Sequence, residues 1–252
     1  MDARLMMDPI ESPLAHLPLA LPQAAQREER LPFTIRAAST VEQLGKAVAV
    51  RHQAYGRHVP ALAEQLRLPE PQDLARGCTV LLAESKLDGE PLGTIRIQTN
   101  DYAPLALESS VTLPRGLAAS RLAEATRLGV SLGRVGHVVR TALFKAFYLY
   151  CVKARVDWMV ITARSPLERM YEALLFSEVF PGQPATPIKH VGNIPHRILK
   201  FEVGSAEERW SAARHPLYDF VFSTHHPDID LEAADEPETM PLAQATRTAL
   251  AA

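Results

Sequence analysis

The stretch RLAEATRLGVSLGRVGHVVRTALFKAFYLYCVKARVDWMVITA, residues 121–163, decides the fold. It opens with a strand, Arg121–Val130. It closes with Trp158–Ala163, an apolar run without alternation, as expected of a central strand buried on both faces. Between the two, Gly133 and Gly136 break the chain ahead of a long helix expected over about His137–Arg155. Strand, glycine turn, helix, strand is one right-handed crossover unit. Its helix N-terminus falls at the end of the first strand, where backbone N–H groups can bind phosphate.

Working outward, Phe33–Ala37 alternates as a strand, and Ser39 or Thr40 can cap a helix over Val41–Gly56. A short helix is expected within His58–Leu68, ended by Pro69 and Pro71. Thr79–Glu84 and Leu92–Gln98 read as a hairpin turning at Asp88-Gly89. Asn100–Gly116 reads as a loop. Beyond the crossover, Ser165 as N-cap and Pro166 at the first position start a helix reaching about Leu175. Ile198–Val203 is a last strand, and Ala206–Arg214 a short helix. The order β-α-α-β-β-β-α-β-α-β predicts an α/β (α+β) fold, a mixed central sheet flanked by helices.

The composition fits one sizeable domain. Of 252 residues, 47% are apolar and 22% charged, an ordinary globular balance. A core of that size needs no disulfide or metal staple. Cys78 and Cys151 lie in apolar runs, and the nine His do not cluster, so no metal site is expected. No apolar run is long enough to span a membrane. The P-loop, the HExxH zinc motif and GxGxxG are all missing. Few aromatics and no basic–aromatic interleaving argue against nucleic acid. Pro9, Pro13, Pro18 and Pro22 make residues 1–30 an expected flexible tail. Residues 225–252 form a second, acidic and Ala-rich one, leaving 31–224 as the domain. No export signal is legible, so a cytoplasmic location is expected. The net charge of −2 hides a basic segment: residues 121–170 carry nine Lys/Arg against Glu124, Asp157 and Glu168. Such a face either steers an acidic partner or is simply solvated.

Three constellations can carry chemistry. In Glu124-Ala125-Thr126-Arg127, strand alternation puts Glu124 and Thr126 on one face, Ala125 and Arg127 on the other. Glu124, on a strand running into a glycine turn, is either a general base acting directly or through water, or half of an edge-strand ion pair. Arg96 sits in the apolar strand Gly93-Thr94-Ile95-Arg96 and requires a partner, which Glu124 or Asp73 can supply. Arg51 and Tyr55 share a helix face, and Glu70 and Asp73 follow three apart. Together they either hold the carboxylate and ammonium of an amino acid or pair as surface ions.

These segments resemble the FeeM-type N-acyl amino acid synthases, relatives of the LuxI-type acyl-homoserine-lactone synthases. The resemblance rests on Val50–Tyr55, Leu92–Arg96, Leu105–Glu108, Glu124–Val130 and Leu143–Cys151, in order across about residues 33–203. It implies a GNAT-like acyltransferase fold and no tightly bound cofactor. The co-substrate would be acyl-phosphopantetheine, on acyl carrier protein rather than coenzyme A. The partners would be that carrier and a small-molecule amine, with amide formation as the reaction.

Position by position, the resemblance makes Glu124 the proton acceptor, with Arg96 and Arg127 as its companions on the strands. Arg51, Tyr55, Glu70 and Asp73 become the acceptor site, Glu70 standing where the family's acid pair begins with Asp. Gly129, Val130, Ser131, Gly133, Arg134 and Gly136 become the acyl–pantetheine turn, although the general acetyltransferase pyrophosphate pattern is not met strictly. Amides near Gly129–Ser131 would face the thioester oxygen. Arg134, Arg140, Lys145 and Lys153 are candidates for docking the carrier. Trp158–Ile161, Val139, Leu143 and Phe147 line an acyl tunnel or are plain core. The other readings are a GNAT enzyme using acyl-coenzyme A, an acyl-homoserine-lactone synthase, and a non-catalytic acyl-binding domain.

Overall fold

Alternation in the first strand sets the sheet. In β2 (Phe33–Ala37), Phe33, Ile35 and Ala37 are buried, and the strand pairs antiparallel with β3 (Cys78–Ser85). The computed structural model describes residues 27–232. Within them lie β1 (Arg27–Glu28), then β2, α1 (Val41–Gly56) and α2 (Pro60–Gln65). A single 3-10 turn, Pro71–Leu74, leads into β3 and β4 (Pro91–Thr99). The expected loop carries a 3-10 turn, Ala106–Ser109, and a one-turn helix α3 (Arg115–Ala118). The crossover follows as β5 (Leu122–Val130), α4 (Gly133–Lys153) and β6 (Trp158–Ala163). The described residues end with α5 (Glu168–Ala173), β7 (Ser177–Glu178), β8 (Thr186–Ile188), β9 (Ile194–Glu202), α6 (Ala206–Ala212), β10 (Thr224–His225) and β11 (Ile229–Asp230).

The main sheet runs β11-β2-β3-β4-β5-β6-β9-β7, with β8 also on β9. Only β5–β6 and β11–β2 are parallel in it. One face is covered by α4 and α6. There Leu143, Phe147, Met159, Ile161, Phe201 and Trp210 form the main core, and Phe144 stacks on Trp210 with ring centroids 5.7 Å apart. The other face carries α1 and α2: Leu44, Ala47 and Val48 pack on Val80 and Leu82, and Leu62 and Leu66 join Leu107, Leu122 and Val160. Thr40 caps α1 by accepting from the Gln43 amide at 3.2 Å.

Several expectations need correction. Helix α4 begins at Gly133, not His137, because Gly136 lets the helix press on the strand end: a Cβ there would lie 1.9 Å from the Ser131 carbonyl oxygen. Helix α5 starts at Glu168 with Leu167 before it, so Ser165 and Pro166 precede the helix instead of capping it. Both tail boundaries move outward. Arg27–Glu28 pairs with Thr224–His225 in a separate two-stranded sheet, and Ile229–Asp230 adds a strand to the main sheet beside β2, so parts of both expected tails are folded. The remainder of those tails, 1–26 and 233–252, lies outside the described residues. Among the described residues no helix is long and apolar enough to cross a membrane.

Candidate functional site

The site grows from a defect in β5. Thr94 pairs with Gly129 but Arg96 with Thr126, so Arg127 and Leu128 together oppose Ile95. This is a β-bulge, and within it Arg127 takes a left-handed φ of 56°. Sequence alternation put Arg127 on the face opposite Glu124. The bulge turns it back, so Arg96, Glu124, Thr126 and Arg127 all address the α1 side.

The second feature is a split. β5 and β6 pair from Leu122↔Trp158 to Ala125↔Ile161 and no further, although both strands continue. Past Ala125 the β6-facing backbone groups of β5 therefore lack a strand partner. Ser131 is not among them, because its amide donates to the Leu92 carbonyl at 2.8 Å. That bond makes Gly93↔Val130 a pair whose own N–H and C=O groups point away from each other. The Val130 carbonyl accepts instead from Arg57 Nη2 at 2.7 Å. The Val130 N–H points the same way, into the opening.

Under α1 lies a buried ionic cluster. Arg51 grips Asp73 with two bonds, of 2.9 and 3.0 Å, and reaches Glu70 at 3.3 Å. Arg96 Nη1 touches Glu70 at 3.1 Å and Asp73 at 3.2 Å, while its Nε donates to Thr126. Arg127 forks onto Glu70 at 2.6 Å through Nε and Nη2. Asp73 also accepts from the Glu70 amide, closing the turn that carries both acids. Three guanidiniums thus face two carboxylates, and Arg127 Nη1 has no hydrogen-bond partner among the described residues. Burial pushes the Glu70 carboxyl up, but Arg127, Arg96 and Arg51 together hold it below its ordinary value. Asp73 is likewise lowered on balance, with Arg51 the main partner against burial.

Glu124 stands apart from these pairs. It is fully buried, accepts from the Leu107 amide at 3.1 Å, and keeps Oε1 unpartnered. Burial raises its pKa to about 7, against the pull of the Leu107 amide and of Arg96. The 3-10 turn Ala106–Ser109 supplies that amide, with Glu108 accepting from the Leu105 amide to fix the turn.

Two cavities open from the split. The first, about 250 Å³, is bounded by Tyr55, Arg57, Arg127, Gly129, Val130, Arg140, Arg164, Tyr171 and His190, among others. Its wall holds four arginines and no Asp or Glu. The second, about 370 Å³, is apolar, with Leu128, Phe144, Phe147, Ile161, Met170, Phe176 and Leu217 in its wall. Ala125, Leu128, Arg140, Met170 and Tyr171 belong to both, so the two cavities adjoin at the split, the second lying on the α4 face.

The structure therefore brings Arg51, Glu70, Asp73, Arg96, Arg127 and Glu124 together, with Tyr55 on the adjoining cavity wall. Gly129 packs against α1, where a Cβ would lie 3.1 Å from that of Ala54. Gly133 and Arg134 are exposed on the first turn of α4, which follows directly on the cavity wall.

The basic residues of α4 do not form one surface. Arg140 lines both cavities. Lys145 is 2% exposed, and its Nζ donates to the carbonyls of Phe220 and Thr224 and meets His226 Nδ1, so it is an internal clamp instead of a docking residue. Burial lowers its pKa to about 8. Lys153 lies at the far end of the helix and donates to the Leu231 carbonyl. Of the expected tunnel residues, Phe147 and Ile161 line the second cavity, while Val139 and Leu143 pack under Gly93 as core. Among the described residues no group of His, Cys, Asp or Glu could hold a metal ion.

A family model described as N-acyl amino acid synthase FeeM matches residues 46–198. The fold is similar to that of FeeM, an N-acyl amino acid synthase from uncultured soil microbes: the TM-score is 0.58 at 15% identity, covering 75% of this chain and 96% of that one. It is also similar to BjaI, a CoA-dependent acyl-homoserine lactone synthase whose structure holds SAM and isopentyl-CoA. There the TM-score is 0.52 at 16% identity, over 85% of this chain and 99% of that one. Comparison with curated protein sequences found no match.

Proposed function

The chain belongs to the FeeM family of N-acyl amino acid synthases, and we propose that it joins a long acyl chain, carried as a thioester on acyl carrier protein, to the amine of an amino acid or similar small molecule. Membership makes it an N-acyltransferase with the GNAT-like fold expected from the sequence. The observation that carries the finer reading is the split between β5 and β6. It joins an arginine-walled cavity, beside the carboxylate–guanidinium cluster, to an apolar one.

In this reading the phosphopantetheine arm lies in the first cavity, whose four arginines suit anionic groups. The acyl tail runs into the second. The thioester oxygen takes the Val130 amide, which supports the developing oxyanion where β6 no longer pairs. The acceptor's carboxylate is met by the unpartnered Nη1 of Arg127, in a cluster that already has one more guanidinium than carboxylate. Arg51, Glu70, Asp73 and Arg96 hold Arg127 in place. Its ammonium must lose a proton before nitrogen can attack, and Glu124 is the sink for it. A pKa near 7 lets a carboxyl accept that proton and release it again. Arg134, with the exposed Leu132 and Val135 beside it, offers a basic and apolar landing point for an acidic carrier at the pantetheine mouth.

Free-thiol release from long-chain acyl carrier protein with pooled amino acids, with product mass read from the same tube, tests the reading. Amine-dependent release and an added acyl mass are expected. Release with acyl-coenzyme A alone would replace the donor, and silence with both donors would contradict the reaction.

A further inference from the structure

Glu124 does not reach the cavity that would hold the amine. Its carboxylate has no exposed surface, and the residue is not part of the cavity wall. His190 is part of that wall, and its Nε2 lies 3.9 Å from the unpartnered Glu124 Oε1. Both ring nitrogens of His190 are buried and make no hydrogen bond of good geometry among the described residues, although the Ala106 backbone lies near enough to favour the charged ring, and an unsatisfied buried imidazole is costly. The residue is also held deliberately. The Lys189 amide donates to Ser110 Oγ at 2.9 Å, and Arg127 Nη2 donates to the His190 carbonyl at 2.9 Å. Gly192 and Asn193, with φ of 77° and 59°, then turn the chain back into β9.

Resting on the acyl-transfer reading above, we propose that His190 takes the proton from the attacking ammonium and hands it to Glu124. The ring nitrogen remote from Glu124 accepts an N–H proton, leaving a neutral amine. Nε2 passes its proton to Oε1, leaving neutral imidazole and a carboxylic acid. The amine lone pair forms the C–N bond while the C–S bond breaks. Of the two protons the nitrogen sheds, the first is the one held on Glu124, which returns through His190 to solvent after the reaction, and the second goes to the departing thiolate, so both residues are restored. The 3.9 Å gap is about 1 Å longer than a hydrogen bond, so the ring must close on the carboxylate for the transfer.

The electrostatics agree with that direction. Burial, then the Arg127 charge, pushes His190 down to about 4, whereas Glu124 sits at about 7, so the proton moves inward downhill. The other groups facing the pair are Arg96 on β4, His196 on β9, Glu108 on the 3-10 turn and Cys78 on β3. Arg127 acts here as a positioning residue, through the His190 carbonyl.

The test compares wild type, His190→Gln and His190→Ala in acyl transfer, with kcat and KM read separately. His190→Gln is expected to lower kcat by about 10²–10⁴ while leaving KM for donor and amine little changed. Added imidazole is expected to restore part of the rate to His190→Ala. The double variant Glu124→Gln/His190→Gln should be no slower than the worse single one. Active wild type with a full-rate His190→Gln, or losses that multiply in the double variant, would overturn the relay alone; an inactive wild type would instead overturn the acyl-transfer reading on which it rests. A readout without turnover adds to this. The ring ¹⁵N resonances of His190 should shift as Glu124 ionises near pH 7 and lose that response in Glu124→Gln. A ring indifferent to Glu124 contradicts the pairing.

Discussion

The two faces of the β4–β5 ribbon are opposites. Toward α1 it presents Thr94, Arg96, Gln98, Glu124, Thr126 and Arg127, all buried and all polar or charged. Toward α4 the same two strands present Gly93, Ile95, Ile97, Ala123 and Ala125 to a predominantly apolar core, in which Lys145 is a buried charge. One pair of strands thus separates ionic chemistry from apolar packing by the width of a sheet. The lesson is that burial alone does not mark a core. On the α1 face buried charge is tolerated because each guanidinium finds a carboxylate, whereas on the α4 face apolar area does the stabilising.

The sharpest way to break the contrast is Asp73→Ala. It leaves three buried guanidiniums, Arg51, Arg96 and Arg127, with Glu70 as their one remaining carboxylate in the cluster, and a loss of about 3–5 kcal/mol is expected in urea unfolding. A loss under about 1 kcal/mol would mean that the cluster is solvated. Lys145→Met strips the charge from the α4 side, where Lys145 clamps the Phe220–His226 segment. About 1.5–3 kcal/mol of stability should go, with kcat retained. An unstable variant that is also inactive would mean that the two faces are not separable.

Within the apolar cavity, Leu128→Trp should shift donor preference toward shorter acyl chains, by about tenfold in kcat/KM for the longest donor. An unchanged preference would place the acyl chain elsewhere. The smallest effect is in pH. Glu124 has a folded pKa raised above its ordinary value, so its protonated form predominates below about 7 and the active carboxylate is gained above it. A rate measured at saturating donor and amine should fall about tenfold per unit below that point. In Glu124→Gln this limb should be missing.

Most elements were legible because strands and helices here obey simple periods: β2, α1, the β3–β4 hairpin and β6 lie within a residue or two of where alternation and capping put them. The ionic cluster was legible as candidates, since an Arg in the middle of a β-strand demands a partner. What the sequence hid are relations that depend on distant chain. The face of Arg127 depends on a bulge seen in the folded chain as a register shift against β4 and a left-handed φ at a non-glycine residue. Lys145 looked like surface because its partners lie at 220–226. His190 looked isolated because Glu124 is brought beside it only by the β8–β9 turn. Short edge strands such as β1, β10 and β11 carry too few residues to show a period.

The central claim is that the charged face performs amide formation and the apolar face does not. Single-turnover amide formation from acyl carrier protein thioester, for wild type and Glu124→Gln matched for thermal stability, tests it most directly. The account predicts amide from wild type and a rate lower by about 10²–10⁴ in the variant. Equal rates in the two proteins would contradict it.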